Sequence, residues 1–166
     1  MPTEAELSNW TDETNVPELL NTLVNNVAMG CGRPANRLLI GKHAWGKIRR
    51  HPSMLKCVEG HKTALSVQDV VDDVLDTPGV TIIIAENMRA DDEGKLEQAL
   101  KYDVMAYYRA PAVSRNDLSF GKNFSVMPAP KVKTHEEKGL FIVNTMLWSS
   151  DMKVANANAM SRCTIN

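Results

Sequence analysis

Residues 15–41, NVPELLNTLVNNVAMGCGRPANRLLIG, carry the reading that decides the fold. Asn15 and Glu18 have the spacing of a capping box, and Pro17 suits a first helical turn. Val16, Leu19, Leu20, Leu23, Val24 and Val27 then recur at helical spacing, which predicts an amphipathic helix of about 13 residues. Asn21, Asn25 and Asn26 fall on the opposite, solvent side. Gly30 or Gly32 stops the helix. Leu38-Leu39-Ile40, bounded by Pro34 and Gly41, reads as a short buried strand.

Outward from this helix–strand pair the alternation continues. Residues 42–50 read as a helix ending before His51-Pro52. Ser66 and Asp69 open another, with Val67, Val70, Val71, Val74 and Leu75 on its core stripe. Pro78-Gly79 turns the chain into Val80–Ala85, the most apolar run, expected to be the central strand. Residues 86–101 are polar and broken by Gly94, and read as a loop with a turn or two of helix. Strands are expected at Asp103–Arg109, Phe120–Val126 and Leu140–Trp148, with a bend at Pro128 and Pro130. After Ser149-Ser150-Asp151 comes a last strand or short helix. The order predicts an α+β fold, a central mixed sheet flanked by helices. The expected organisation is an irregular lead-in over 1–14, a main α+β domain over 15–127, and C-terminal strands over 128–166.

Composition bounds the function. A chain of 166 residues with 43% hydrophobic and 23% charged residues can bury a core without a metal or disulfide staple. No apolar run reaches the roughly 18–20 residues of a membrane span. The start, MPTEAELSNW, lacks the layout of a signal peptide. Three cysteines, Cys31, Cys57 and Cys163, are odd in number and far apart, which points to free thiols in a reducing compartment. The net charge is −1, which excludes a whole-chain basic field for nucleic acid. The charge is nonetheless segregated. Residues 1–32 hold five acids and no base, 33–62 are net +7, 66–103 are net −7, and the remainder is +4. Blocks of opposite sign can neutralise one another within a fold or face one another between subunits.

No catalytic constellation emerges. His51, Cys57 and His61, with Cys31 and His43 before them, match no standard zinc spacing, so no metal is assigned. There is no Gly-x-Ser-x-Gly elbow. Asp72-Asp73 reads as a solvent face, and Gly30-Cys31-Gly32-Arg33 follows a helix where a phosphate loop would follow a strand. No cofactor is implied. Two chemical alternatives stay open: a small α+β enzyme using Asp91, Asp92, Glu93 and His135, and a nucleic-acid module using the basic block, with Arg49, Arg50 and Lys56.

Several motifs in order resemble the tailed-phage major capsid proteins of the Hong Kong-97-type fold. They are Trp10-Thr11-Asp12, Val16-Pro17-Glu18-Leu19-Leu20, Gly32-Arg33-Pro34-Ala35-Asn36-Arg37-Leu38-Leu39-Ile40-Gly41 and His51-Pro52, followed by Gly79-Val80, Ser119-Phe120-Gly121 and Val143–Trp148. The resemblance implies a shell-forming, non-enzymatic subunit that assembles with copies of itself into pentamers and hexamers. Other capsid or scaffolding proteins would be partners. Double-stranded DNA would be enclosed without sequence-specific binding, and no membrane would be involved. The product would be made in the host cytoplasm and reside in the virion shell. It also implies that these residues correspond to the axial domain and C-terminal part of such a protein, without its N-terminal arm, extended loop and spine helix. Within that picture the subunit interface is expected to use Lys47, Arg49, Arg50 and Lys56 on one edge and Asp91, Asp92 and Glu93 on another.

Overall fold

In the computed structural model, residues 4–7, 11–58, 60, 63–112, 114, 117–125, 131–137, 141–147 and 149–165 are described. Helix α1 spans Val16–Cys31. The Asn15 side chain caps it, accepting from the Glu18 N–H (3.4 Å) and donating to the Glu18 carboxylate (2.9 Å). Val16, Leu20, Leu23, Val24 and Val27 are buried, as the periodicity predicts. Each such burial contributes roughly 1.5–3 kcal/mol. Gly32 closes the helix, its N–H bonding to the Ala28 carbonyl (2.8 Å). Asn21 does not face solvent as expected. Its amide donates to the Val74 carbonyl and its Oδ1 accepts from the Asp76 N–H, both at 3.0 Å.

The main sheet is five-stranded and mixed, in the order β1-β11-β6-β2-β3. Its strands are β1 Glu4–Leu7, β2 Arg37–Gly41, β3 Thr81–Ala85, β6 Asp103–Tyr107 and β11 Met160–Ile165. β1 runs parallel to β11 and β2 parallel to β3, while β6 is antiparallel to both its neighbours. One face buries Leu38, Ile40, Ile82, Val104, Ala106, Cys163 and Ile165 with the stripe of α1. The parallel β2–β3 pair needs a long crossover. It is supplied by α2 (Lys42–Ile48), α3 (Pro52–Leu55) and α4 (Val67–Asp69).

His51 caps α3. Its Nδ1 accepts from the Ser53 N–H (3.3 Å), and its Nε2 lies 3.0 Å from the Thr11 carbonyl. Asn36 stitches three strands together. Its side chain exchanges two bonds with the Arg109 backbone (2.7 and 2.9 Å), its N–H donates to Tyr107, and its carbonyl accepts from Thr81.

Four expectations are corrected. The lead-in is not irregular throughout, because Glu4–Leu7 extends the sheet as β1. The helix after Ser66 keeps its capping box but is α-helical for three residues only, then winds as a π-helix over Val70–Val74. A run of valines gives weak helical support, so burial of Val70, Val74 and Leu75 sets the pitch. β3 is an edge strand, not the central one. Thr81 and Ile83 are exposed on the sheet's second face. Residues 86–101 form no helical turn. They build the hairpin β4 (Met88–Ala90) and β5 (Leu96–Gln98).

By contacts the chain divides into residues 1–120 with 156–166, and residues 121–155. Met160–Ile165, grouped by sequence with the C-terminal strands, thus belongs to the large sheet. Its alternation of buried Ser161, Cys163 and Ile165 matches the core face, which the polar string MSRCT disguises. The smaller unit contains two antiparallel pairs. β7 (Gly121–Phe124) pairs with β10 (Asp151–Val154), and β8 (Lys131–Glu137) with β9 (Phe141–Leu147). β8 is not foreseen by sequence, its alternation being Lys-Val-Lys-Thr. Leu140, Trp148 and the Pro128–Pro130 bend lie outside the described residues, as do Trp10 and His61.

Candidate interaction surface

The acidic segment is an ordered hairpin tip. Asp91 turns the chain, its Oδ1 accepting from the N–H groups of Glu93 (3.0 Å) and Lys95 (2.8 Å). The Asp91 N–H donates to the Lys95 carbonyl (2.9 Å), and Gly94 supplies the left-handed residue that the turn requires (φ 80°). The hairpin's two faces differ. Arg89 and Glu97 pair across one of them (Nε–Oε1 2.7 Å). Met88 and Leu96 share the other, 53% and 65% exposed. Asp91 is consumed by the turn, so Asp92 and Glu93 are the carboxylates the tip presents to solvent. Among the described residues neither forms an ion pair.

The basic block is split by the fold. Lys47 stands on the exposed side of α2, its Nζ 5.3 Å from the Tyr102 ring centroid. Lys101 approaches the same ring at 5.2 Å, and the His43 ring lies 5.6 Å away. Such cation–ring contacts are worth about 0.5–1 kcal/mol at exposed sites. This close arrangement depends on Gly41, where a Cβ would collide with the Leu100 carbonyl oxygen. The Ala44 N–H then bonds to the Lys101 carbonyl (3.2 Å), holding that segment against α2. Arg50 and Lys56 are exposed beyond the ends of α2 and α3. Arg49 is half-buried, and its Nε is buried without an acceptor among the described residues.

The structure therefore gathers Lys47 with Lys101, His43 and Tyr102, which the charge count missed. The missed signals are local: Arg89 and Glu97 flank Asp91…Gly94 at hairpin spacing, and Lys101-Tyr102 follows directly.

Other reactive groups are absorbed by the fold. His51 is a buried cap. Cys163 is buried in β11, and burial, with the nearby Asp103 charge second, pushes its thiol up to about 12. It stays protonated near neutrality and is no nucleophile. Among the described residues no three His, Cys, Asp or Glu side chains gather as a metal site. Nor is any helix among them long and apolar enough to cross a membrane.

No protein-family model matches the sequence, and no curated protein is significantly similar to it. Solved structures do match. A phage-related protein from Bordetella bronchiseptica RB50 aligns with TM-score 0.79 over 97% of this chain and 54% of its own, at 15% identity. A proposed capsid protein of a prophage of Escherichia coli CFT073 aligns over 95% and 49%, with TM-score 0.51 and 11% identity. A virus-like particle from Pyrococcus furiosus aligns over 98% and 56%, with TM-score 0.51 and 15% identity.

The fold is capsid-like.

At such identities the likeness carries the fold and no residue roles. The chain spans about half the length of the solved structures it matches.

Proposed function

We propose that this chain is a structural, shell-forming subunit of a phage or prophage capsid, acting without catalysis. The observation that carries the reading is the alignment of nearly the whole chain, 97%, with a phage-related protein at TM-score 0.79. The capsid and particle neighbours lend it the same direction. In this reading the copies associate head-to-tail into pentamers and hexamers in a Hong Kong-97-type arrangement. The larger unit plays the axial part, and the 121–155 ribbon belongs to the peripheral part. Double-stranded DNA is enclosed without sequence readout, other capsid or scaffolding proteins are further partners, and the product resides in the virion.

Segregated charge supports the reading. Exposed pairs are worth only about 0–1 kcal/mol each, so they set register and partner choice while apolar burial supplies affinity. Light scattering after size exclusion, with negative-stain microscopy of any large species, tests it. Rings or shells are expected. A species of 18.4 kDa at every concentration and salt would overturn it.

A further inference from the structure

We propose that the β4–β5 hairpin is a docking element that seats on the α2 face of a second copy of this chain. In that contact Asp92 and Glu93 meet Lys47 and Lys101, and the exposed Met88 and Leu96 are covered beside them. The inference deepens the shell-forming reading and rests on it.

The two surfaces are complementary in charge. The hairpin carries its charge at the tip and its exposed apolar side chains on one face, while the other face is closed by Arg89–Glu97. Asp91 and Gly94 fix the tip, so Asp92 and Glu93 are presented by a rigid turn. The receiving face is also preorganised, with two ammonium groups at one aromatic ring and an imidazole beside them. Preorganised groups lose less side-chain entropy when a partner arrives. Lys42 is already committed to Glu86 (3.0 Å), which leaves Lys47 and Lys101 as the cations free of ion pairs among the described residues there.

A donor and an acceptor surface of opposite sign on one chain define a heterologous contact, the kind that closes into rings. A nucleic-acid backbone would satisfy the lysines but would leave the acidic tip and its apolar face without a role.

Two double variants test the contact, Asp92→Lys with Glu93→Lys, and Lys47→Glu with Lys101→Glu. All four side chains are exposed, and circular dichroism checks that each variant folds. Each variant alone should need at least about tenfold more protein to assemble, since like charges then face one another. Mixed one to one, the two variants should recover assembly into even-membered rings, because hairpin and α2 charges oppose at every contact between unlike variants. If the wild-type chain assembles and both variants assemble as well as it does, the docking proposal fails and the shell reading stands. If the wild-type chain never assembles, both fall. If the α2 variant loses only duplex-DNA binding while assembly is unchanged, the face belongs to nucleic acid and the proposal is overturned.

Discussion

The two units of the chain use the same strand chemistry to different ends. In the larger one, strands β2, β3, β6 and β11 share a face that packs with α1, and the largest buried side chains lie in that core, Leu20, Leu23, Leu38, Ile40, Ile48 and Met54 among them. In residues 121–155 the strands pair only two by two, and no described side chain is buried. Phe124, Val132, Met146, Met152 and Val154 are more than half exposed. Backbone pairing alone is marginal in water, because two strands have no third layer against which to bury a face. The contrast teaches where the described burial resides, and it leaves these five apolar side chains available to something other than the core.

The sharpest way to break the comparison is to hollow the larger unit. Ile40→Ala removes a fully buried branched side chain from β2 and should cost roughly 2–5 kcal/mol. Urea denaturation reads this as a lower midpoint with an unchanged slope. A loss below about 1 kcal/mol would mean that the sheet face is not the core.

The larger unit also carries a pH signature. Cys163 titrates ordinarily at 9.0 and is held at about 12 in the fold. Its proton therefore stabilises the fold fully below pH 9, where both states are protonated. Between 9 and 12 the unfolded chain releases it first, so stability falls as pH rises through that window. Cys163→Ala should flatten that alkaline loss. A thiol reagent at pH 8 should modify exposed Cys57 readily and Cys163 only on unfolding.

Asn36→Ala removes the side-chain bonds that tie the entry to β2 to the segment after β6, and leaves the backbone bonds to Tyr107 and Thr81 in place. It strips partners from the Arg109 backbone at an exposed position and should cost about 0.5–1.5 kcal/mol. Asn36→Asp keeps the acceptor for the Arg109 N–H but sets a carboxylate oxygen against the Arg109 carbonyl, so it should cost at least as much.

These elements differ in how far the sequence discloses them. α1 is legible because cap, stripe and stop agree within one local segment. β2 and β3 are legible as strands, but sheet order is a long-range property, and a run such as Ile82–Ile84 does not say whether two neighbours flank it or one. β1 is obscured by the acidic composition of Glu4–Leu7, and β11 by polar residues on the second face, where Arg162 and Thr164 converge on Asp103 Oδ1 at 2.8 Å. The candidate surface is half legible. Charge segregation points to residues 47–56 and 91–93, whereas the lysine pairing at Tyr102 depends on the close approach at Gly41.

Ile83 sharpens the distinction between edge and core within one sheet. It is 39% exposed, while Ile82 beside it is 9% exposed. Ile83→Ala should cost about 1–2 kcal/mol, well short of the loss at Ile40, because part of the removed surface already meets water. Equal losses at the two positions would mean that the second face of β3 is covered in solution, which the same urea titration would reveal.

The smallest effect on the isolated chain is expected in the ribbon, and there it is the smallness that informs. Val132 and Met146 stand opposite one another across β8 and β9, 57% and 68% exposed. Replacing both with Thr keeps the strand preference and removes the apolar surface. The change in folding stability should stay within about 0.5 kcal/mol. If these side chains serve contacts between copies, the same variant should weaken assembly measured by light scattering far more than it weakens the fold. A variant that unfolds the chain instead would show that the ribbon's apolar pair supports the fold of its own chain. One that changes neither quantity would show that exposure here is incidental, as single exposed apolar residues usually are.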